Sequence, residues 1–169
     1  MAQGRTLAVD PVAEARRQWS ARGWDEAAAG MAVVTSVMRV QQLFMARADA
    51  VLRPFGLSFA RYEVLMLLFF SRRGELPLHK VGERLQVGAA SVTHAVDRLQ
   101  ADGLVARRSN PADGRGVLAS LTPSGRRIAP RASAALNAQV FARLDLAPGQ
   151  LESLFTLLAQ VRRGAGDFA

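Results

Sequence analysis

Residues 77–122 constrain the fold of this chain more than any other stretch. They read PLHKVGERLQVGAASVTHAVDRLQADGLVARRSNPADGRGVLASLT. Their patterns predict two short helices around a tight turn, followed by two strands joined by a second turn. This order is typical of a helix-turn-helix followed by a β-hairpin wing, in which the second helix enters the major groove of DNA.

The first predicted helix is defined by three apolar residues. Leu78, Val81 and Leu85 are spaced so that all three fall on one helical face. The segment Gln86-Val87-Gly88 then breaks this pattern. We expect Gly88 to allow the sharp change of direction between the two crossed helices, since glycine tolerates backbone conformations that other residues avoid.

The second helix is predicted over residues 89–102 and has two unlike faces. Its inward face carries Val92, Val96 and Leu99. The opposite face carries short polar groups, which suit contacts with base edges and phosphates. The DNA contacts expected from the turn and this helix are Gly88, Ala89, Ser91, Thr93, His94 and Arg98.

The wing is predicted as strands over residues 104–108 and 117–121, with a turn over residues 110–116 that is rich in helix and strand breakers. Arg115 is expected at the tip, where it can enter the narrow, electronegative minor groove while Asp113 orients its guanidinium. Alternatively, these two residues only pair with each other.

Charged residues beside the predicted recognition face can contact DNA or hold the fold together. Arg108 on the first wing strand is a predicted DNA contact. Asp97 is expected to form a structural ion pair with Arg107 or Arg108, although Asp97 and Arg98 could also act at the DNA.

The charge distribution supports a DNA-binding face. The chain has a formal net charge of +8, and Lys80 is its only lysine. Residues 98–131 hold seven arginines against two aspartates, a local charge of +5. An arginine-rich surface can simply reflect genome composition. Its concentration on the winged segment favours phosphate binding.

The segment DRLQADGLVARRSNPADGRGVLASLTPSG closely resembles the winged-helix signature of the MarR family of bacterial transcription regulators. Its most specific parts are DRL, GLV, the D-x-R-G wing and LTPSG, and the similarity covers residues 31–163. The resemblance implies a homodimer, a pseudo-palindromic site in double-stranded DNA, and usually repression relieved by a small ligand. One departure is His94, where the family often has arginine.

The fold class expected is mainly α with a small β wing. Residues 1–24 are predicted as a tail and a short extra helix, and residues 57–122 as the winged helix-turn-helix lobe. Residues 25–56 and 123–163 are predicted as a helical dimerisation module, because their amphipathic helices lack an apolar partner within the winged lobe. The alternative is a monomer whose last helices fold back on its own core.

The family resemblance also implies a ligand pocket where the long first helix meets the winged lobe. The extra N-terminal helix resembles a subgroup that binds urate or related anions, but Glu63 and Ala95 stand where that subgroup has Asp and Arg. A small aromatic or anionic effector is therefore expected, with Arg47 as its counter-charge. The residues expected at the pocket are Trp19, Phe44, Arg47, Val51, Phe55, Tyr62 and Leu65.

Other classes of function find little support in the sequence. No catalytic triad, phosphate-binding glycine loop or Cys/His cluster is visible, so we expect no enzyme, no metal and no cofactor. The absence of cysteine excludes a thiol sensor. The longest strongly apolar run, residues 64–70, is too short to span a bilayer, and a cytoplasmic protein is expected. The alternative function is a winged-helix DNA-binding or architectural protein without effector control.

Overall fold

The computed structural model describes residues 7–110 and 113–168, without the side chains of residues 113–115. Two compact units are distinguished, Met1–Ala50 and Val51–Ala169, and each is described by itself. The helices are α1 (Pro11–Ser20), α2 (Asp25–Leu52), α3 (Phe59–Phe70), α4 (Leu78–Leu85), α5 (Ala89–Ala101), α6 (Pro123–Leu136) and α7 (Pro148–Gly164). The strands are β1 (Glu75–Pro77), β2 (Val105–Asn110) and β3 (Asp113–Leu121). The predicted fold class, mainly α with a small β wing, is confirmed.

The first unit consists of two helices joined by a tight turn. Asp10 caps α1, its carboxylate accepting from the backbone N–H of Val12 at 2.9 Å. The rings of Trp19 and Trp24 meet edge to face, with centroids 5.4 Å apart. This aromatic contact lies at the turn between α1 and α2. Helix α1 falls within the segment for which a short helix is predicted. Across the described residues, no helix is long and apolar enough to cross a membrane.

The buried centre of the second unit is α3, as its apolar sequence predicts. The Ser58 hydroxyl caps the helix by accepting from the N–H of Arg61 at 3.4 Å. Five residues of α3 are buried, and Leu65 and Leu68 are fully so. Because α3 packs against α4, α5, α6 and the sheet, it supports most elements of the second unit.

Helix α5 spans nearly the predicted residues, but the turn before it has a different conformation from the one expected. Gly88 has φ −64°, a conformation open to any residue, so the expectation that it supplies the change of direction is wrong. Gln86 takes the left-handed conformation instead, with φ 55°. The chain therefore reverses two residues earlier than predicted, at a residue with a long polar side chain.

The wing sheet has three strands rather than two, in the order β1-β3-β2, all antiparallel. The sequence analysis missed β1, a three-residue strand directly before α4. The wing turn is also shorter than the predicted 110–116, because Asn110 of β2 already pairs with Asp113 of β3. The strands thus extend further toward the tip than expected.

Helix α6 begins at the predicted cap. The Thr122 hydroxyl accepts from the N–H of Gly125 at 3.0 Å and donates to the carbonyl of Gly103 at 2.8 Å. Gly125 is required here, because a Cβ at this position would lie 2.2 Å from the Leu104 carbonyl oxygen. The start of α6 therefore packs directly against the backbone that leads into β2.

The end of α6 differs from the sequence prediction. The sequence predicts two helices after the wing, over residues 123–144 and 148–163. The α-helical part of the first ends at Leu136, and a π-helical turn, Asn137–Phe141, follows. Pro130 lies inside α6, where it removes one backbone donor. Helix α7 follows close to its predicted position, and none of its residues is buried.

Candidate DNA-binding interface

Helix α5 has the two faces that its sequence predicts. Val92, Val96 and Leu99 are buried, with exposed fractions of at most 2%. The predicted DNA contacts of the turn and helix are all exposed: Gly88, Ala89, Ser91, Thr93, His94 and Arg98. The helix thus presents an exposed face that carries the polar side chains of Ser91, Thr93, His94 and Arg98, while its apolar face packs against α3 and α4.

An ion pair joins α5 to the wing. Nη1 of Arg107 on β2 lies 2.7 Å from Oδ1 of Asp97, and its Nη2 donates to the Thr93 carbonyl at 3.3 Å. The predicted structural ion pair of Asp97 is therefore confirmed, with Arg107 as the partner. The contact holds β2 at a defined distance from the exposed face of α5.

Arg108, a predicted DNA contact, takes part in a cluster on the sheet. Its guanidinium forms an ion pair with Glu75 of β1 and donates to the Ser120 hydroxyl of β3 at 3.2 Å. Its side chain stays well exposed although Glu75 is mostly covered. Arg108 thus links all three strands and still reaches solvent.

The remaining predicted DNA contacts of the wing are Asp113 and Arg115. Asp113 and Arg115 belong to β3 by their backbone, so Arg115 lies within the strand rather than in the turn. Their side chains lie outside the described residues. The DNA roles of both residues therefore remain predictions.

Sequence reasoning missed one contact that positions the recognition helix. Nη1 of Arg61 on α3 lies 2.9 Å from Oδ2 of Asp102, the C-cap residue of α5. Gly103 follows with φ +68°, which ends the helix as predicted. The pairing of residues 41 positions apart has no periodic signal in the sequence, which explains why it was not found.

The predicted ligand residues are divided between the two units. Trp19, Phe44 and Arg47 belong to the first, where Trp19 contacts Trp24. The second unit holds Val51, Phe55, Tyr62 and Leu65. Leu65 is fully buried, and the Tyr62 hydroxyl forms a 3.0 Å hydrogen bond with the Ser133 hydroxyl. These last two residues therefore have clear roles in the core of their unit.

The half-buried carboxylate of Glu63 has a shifted pKa. Burial raises the pKa of Glu63 above its ordinary value of 4.5. Glu63 lies on α3 directly after Tyr62, so its charge is held close to the apolar core of the lobe. This shift follows from the structure alone, because the sequence does not show how deeply the residue is covered.

Comparisons with known proteins agree with this geometry. The MarR family pattern matches residues 55–116. The HTH-type transcriptional repressor Rv2887 of Mycobacterium tuberculosis is 32% identical over 117 residues, which cover 68% of this chain and 82% of that protein. The chain spans slightly less than half the length of other relatives, such as 47% of the regulator MhqR of Bacillus subtilis.

Solved structures extend the comparison. Sco5413, a MarR family transcriptional regulator from Streptomyces coelicolor, is 47% identical, with a TM-score of 0.76 and coverage of 82% of this chain and 96% of that one. Sco3205 from the same organism, solved in complex with DNA, is 31% identical over 78% of this chain and 85% of its own, with a TM-score of 0.68.

A ligand complex is also among the similar structures. CouR from Rhodococcus jostii RHA1, bound to p-coumaroyl-CoA, is 25% identical, covers 76% of this chain and 89% of its own, and has a TM-score of 0.65. The winged helix-turn-helix geometry and the extent of these similarities lead to one conclusion. This chain belongs to the MarR family of transcription regulators.

Proposed function

We propose that this regulator represses transcription by binding a pseudo-palindromic DNA site as a homodimer. The observation that carries the proposal is the exposed polar face of α5 above its buried Val92, Val96 and Leu99. In this arrangement α5 enters the major groove, with Thr93, His94 and Arg98 at base edges and phosphates. The wing contacts the flanking minor groove through Arg115, while Arg108 contacts phosphates.

The dimer is proposed from the apolar surface of the terminal helices. Phe155 and Val161 on α7 are 63% and 67% exposed, and Val33 and Met38 on α2 are 59% and 60% exposed. Monomeric proteins rarely leave apolar surface of this extent uncovered. We therefore assign residues 25–56 and 123–163 to a dimerisation module, residues 57–122 to the DNA-binding lobe and residues 1–24 to an accessory N-terminal segment.

A footprint and a mass measurement test this proposal together. Two recognition helices related by a two-fold axis lie about 34 Å apart, one turn of DNA, so the protected site should be an imperfect inverted repeat. The DNA that flanks the gene of this regulator is the first place to search for it. A monomer in light scattering at micromolar concentration that binds this site with full affinity would contradict the proposal.

We propose further that a small aromatic anion relieves repression. CouR, which binds p-coumaroyl-CoA, supports an aromatic effector for this fold. A ligand releases DNA only if it binds the DNA-incompetent state more tightly, and operator DNA must then weaken ligand binding by the same factor. Calorimetry with salicylate-like, phenolic and purine compounds, with and without operator, tests this relation.

Arg47 is the proposed counter-charge of the effector. Arg47→Met should blunt the response to ligand and leave DNA affinity in its absence nearly unchanged. Equal ligand affinity with and without operator would contradict the switch.

The alternative is a winged-helix protein that coats DNA without sequence choice or effector. The arginine-rich winged segment is compatible with it, because phosphate contacts alone give affinity without specificity. Salt titrations on the inverted repeat and on a scrambled duplex separate the two functions. A specific regulator binds the repeat about 10³-fold or more tightly than the scrambled duplex, whereas an architectural protein binds both alike.

A further inference from the structure

The segment that follows α7 folds back onto the end of that helix. Gly166 adopts φ +76°, and the backbone N–H of Asp167 donates to the carbonyl of Arg162 at 3.1 Å. This turn reverses the chain directly after α7. Residues 165–168 therefore lie against the last turn of the helix instead of extending away from it.

Charged side chains hold this reversed segment in place. Nε of Arg162 donates to Oδ2 of Asp167 at 2.7 Å, and the Asp167 side chain is only 25% exposed. The guanidinium groups of Arg162 and Arg163 each lie 5.1 Å from the centroid of the Phe168 ring, within the range of cation–π attraction. Contacts among these four side chains thus fix the direction of the Asp167 backbone.

The fixed backbone of Asp167 contacts the helix-turn-helix. Nε2 of Gln86 donates to the Asp167 carbonyl oxygen at 3.0 Å, across 81 residues of sequence. Gln86 is the left-handed residue of the turn, a conformation that is uncommon for a residue with a side chain. The contact therefore lies at the position where the chain changes direction before the recognition helix.

The start of the recognition helix has little other side-chain support. Its N-cap is Gly88, which provides no side-chain cap, and Val87 is 43% exposed. Backbone bonds run from the N–H groups of Gln86 and Val87 to the Gly82 carbonyl, the latter at 3.1 Å, and from the N–H of Val92 to the Gly88 carbonyl at 3.2 Å. The Gln86 side chain adds to these local bonds a contact with a distant part of the chain, at the point where α5 is about to begin.

We infer that residues 165–168 form a latch that positions the turn before the recognition helix through Gln86. The inference rests on the proposed function, in which α5 reads DNA. Gln86 is a positioning residue and need not contact DNA itself. The latch is attached to the end of α7. A second subunit that packs on the apolar face of α7 therefore also affects the position of the turn, which links subunit association to DNA binding.

The first test needs no DNA. In the full chain, Gln86→Met and a variant ending at Gly166 should both speed amide exchange at residues 86–90, by about 2–10-fold, the factor that corresponds to the loss of one hydrogen bond. The side-chain NH₂ resonance of Gln86 should shift in the variant ending at Gly166. Gln18→Met, which changes an exposed glutamine of α1, is the matched control and should alter neither. Unchanged exchange in both latch variants would overturn the inference.

The second test is a double-mutant cycle on operator DNA. Each latch variant should weaken operator binding by about 2–10-fold, and the combined variant should be no weaker than either alone, because both remove the same hydrogen bond. The slope of affinity against salt should stay that of the wild type, since no phosphate contact is lost. The melting temperature should fall by only about 2–4 °C, because one hydrogen bond is lost from the folded state.

The outcomes separate the latch from other roles of Gln86. If Gln86 contacts DNA directly, Gln86→Met weakens binding while the truncated chain binds like the wild type, and the latch is refuted. If the wild type binds no inverted repeat, the proposed function fails, and amide exchange alone then decides whether the latch exists.

Discussion

Arg107 and Asp97 form a 2.7 Å ion pair that joins the first wing strand to the recognition helix. The same guanidinium also donates to the Thr93 carbonyl, so it contacts α5 at two points one turn apart. Its Nε is buried without a hydrogen-bond partner among the described residues. Burial of that donor offsets part of the free energy that the ion pair contributes to folding. We therefore expect the main role of the pair to be positioning the wing against α5.

Breaking this pair should impair DNA binding more than folding. Asp97→Asn and Arg107→Met, alone and combined, should show a coupling energy for unfolding of only about 0.5–1 kcal/mol, because Asp97 is half exposed. Both single variants should lose operator affinity, since the wing is then free to shift relative to α5. Urea denaturation and gel-shift titration measure the two effects, with the surface pair Glu14–Arg17 of α1 as the control.

Replacement of the wing arginine should weaken operator binding. Arg115→Ala removes a proposed minor-groove contact and is expected to cost about 1–3 kcal/mol of binding free energy. Arg16→Ala on α1 removes the same charge elsewhere and should leave affinity nearly unchanged. Gel-shift titration of folded, dimeric variants checks this, and equal affinities for wild type and Arg115→Ala would exclude the contact.

A methyl group at Gly125 should destabilise the DNA-binding lobe. Its Cβ would lie 2.2 Å from the Leu104 carbonyl oxygen and 2.8 Å from Cδ1 of Leu121, so α6 must move away from the strands. We expect Gly125→Ala to lower the free energy of unfolding by about 1–3 kcal/mol. Gly149→Ala is the control, because its Cβ would meet nothing within 4 Å. Equal denaturation midpoints for the two variants would show that the contact relaxes without cost.

The half-buried carboxylate of Glu63 predicts a pH dependence of stability. Burial raises the pKa of Glu63 in the folded state, so the folded state binds this proton more tightly than the unfolded state. Ionisation of Glu63 therefore lowers the free energy of unfolding. This loss is absent at pH values below the pKa of Glu63 in the unfolded chain, and it is complete once the pH exceeds its pKa in the folded chain. Glu63→Gln should therefore raise the melting temperature at pH 7, and this gain should shrink toward pH 4.

A second glutamate provides a control of opposite sign. The hydrogen bond from Lys80 lowers the pKa of Glu83, so its charge favours the folded state at neutral pH. Glu83→Gln should consequently not raise the melting temperature at pH 7. An equal gain from both substitutions would indicate a general effect of net charge instead of the burial of Glu63.

Local patterns in the sequence predicted most of the helices and the exposed face of α5. Capping residues such as Ser58 and Thr122 defined where helices begin, because their hydrogen bonds reach only three residues along the chain. The three-residue strand β1 was missed, since its pairing with β3 joins residues about 45 positions apart. A strand so short has no periodicity of its own, and only the folded sheet reveals it.

The candidate site could be predicted only in part for the same reason. Exposure of Thr93 and His94 follows from helical period, whereas the choice of Arg107 over Arg108 as the partner of Asp97 depends on the register of β2. The left-handed turn at Gln86 was assigned to Gly88, because glycine is the residue that usually adopts it. The hydrogen bond from the Gln86 side chain to the Asp167 carbonyl supports the left-handed conformation of Gln86. Local sequence patterns cannot predict a contact between residues so far apart in the chain.

The short strand β1 also has a consequence for solubility. It occupies one side of β3 and ends in Pro77, which has no backbone N–H to offer to a further strand. The opposite side is covered by β2, which carries the charged side chains of Arg107 and Arg108. Exposed strand edges are templates for intermolecular pairing, and short length, proline and charge are the features that discourage it. The edges of this sheet are therefore poor templates for pairing with the sheet of another molecule, which favours a protein that stays dispersed at high concentration.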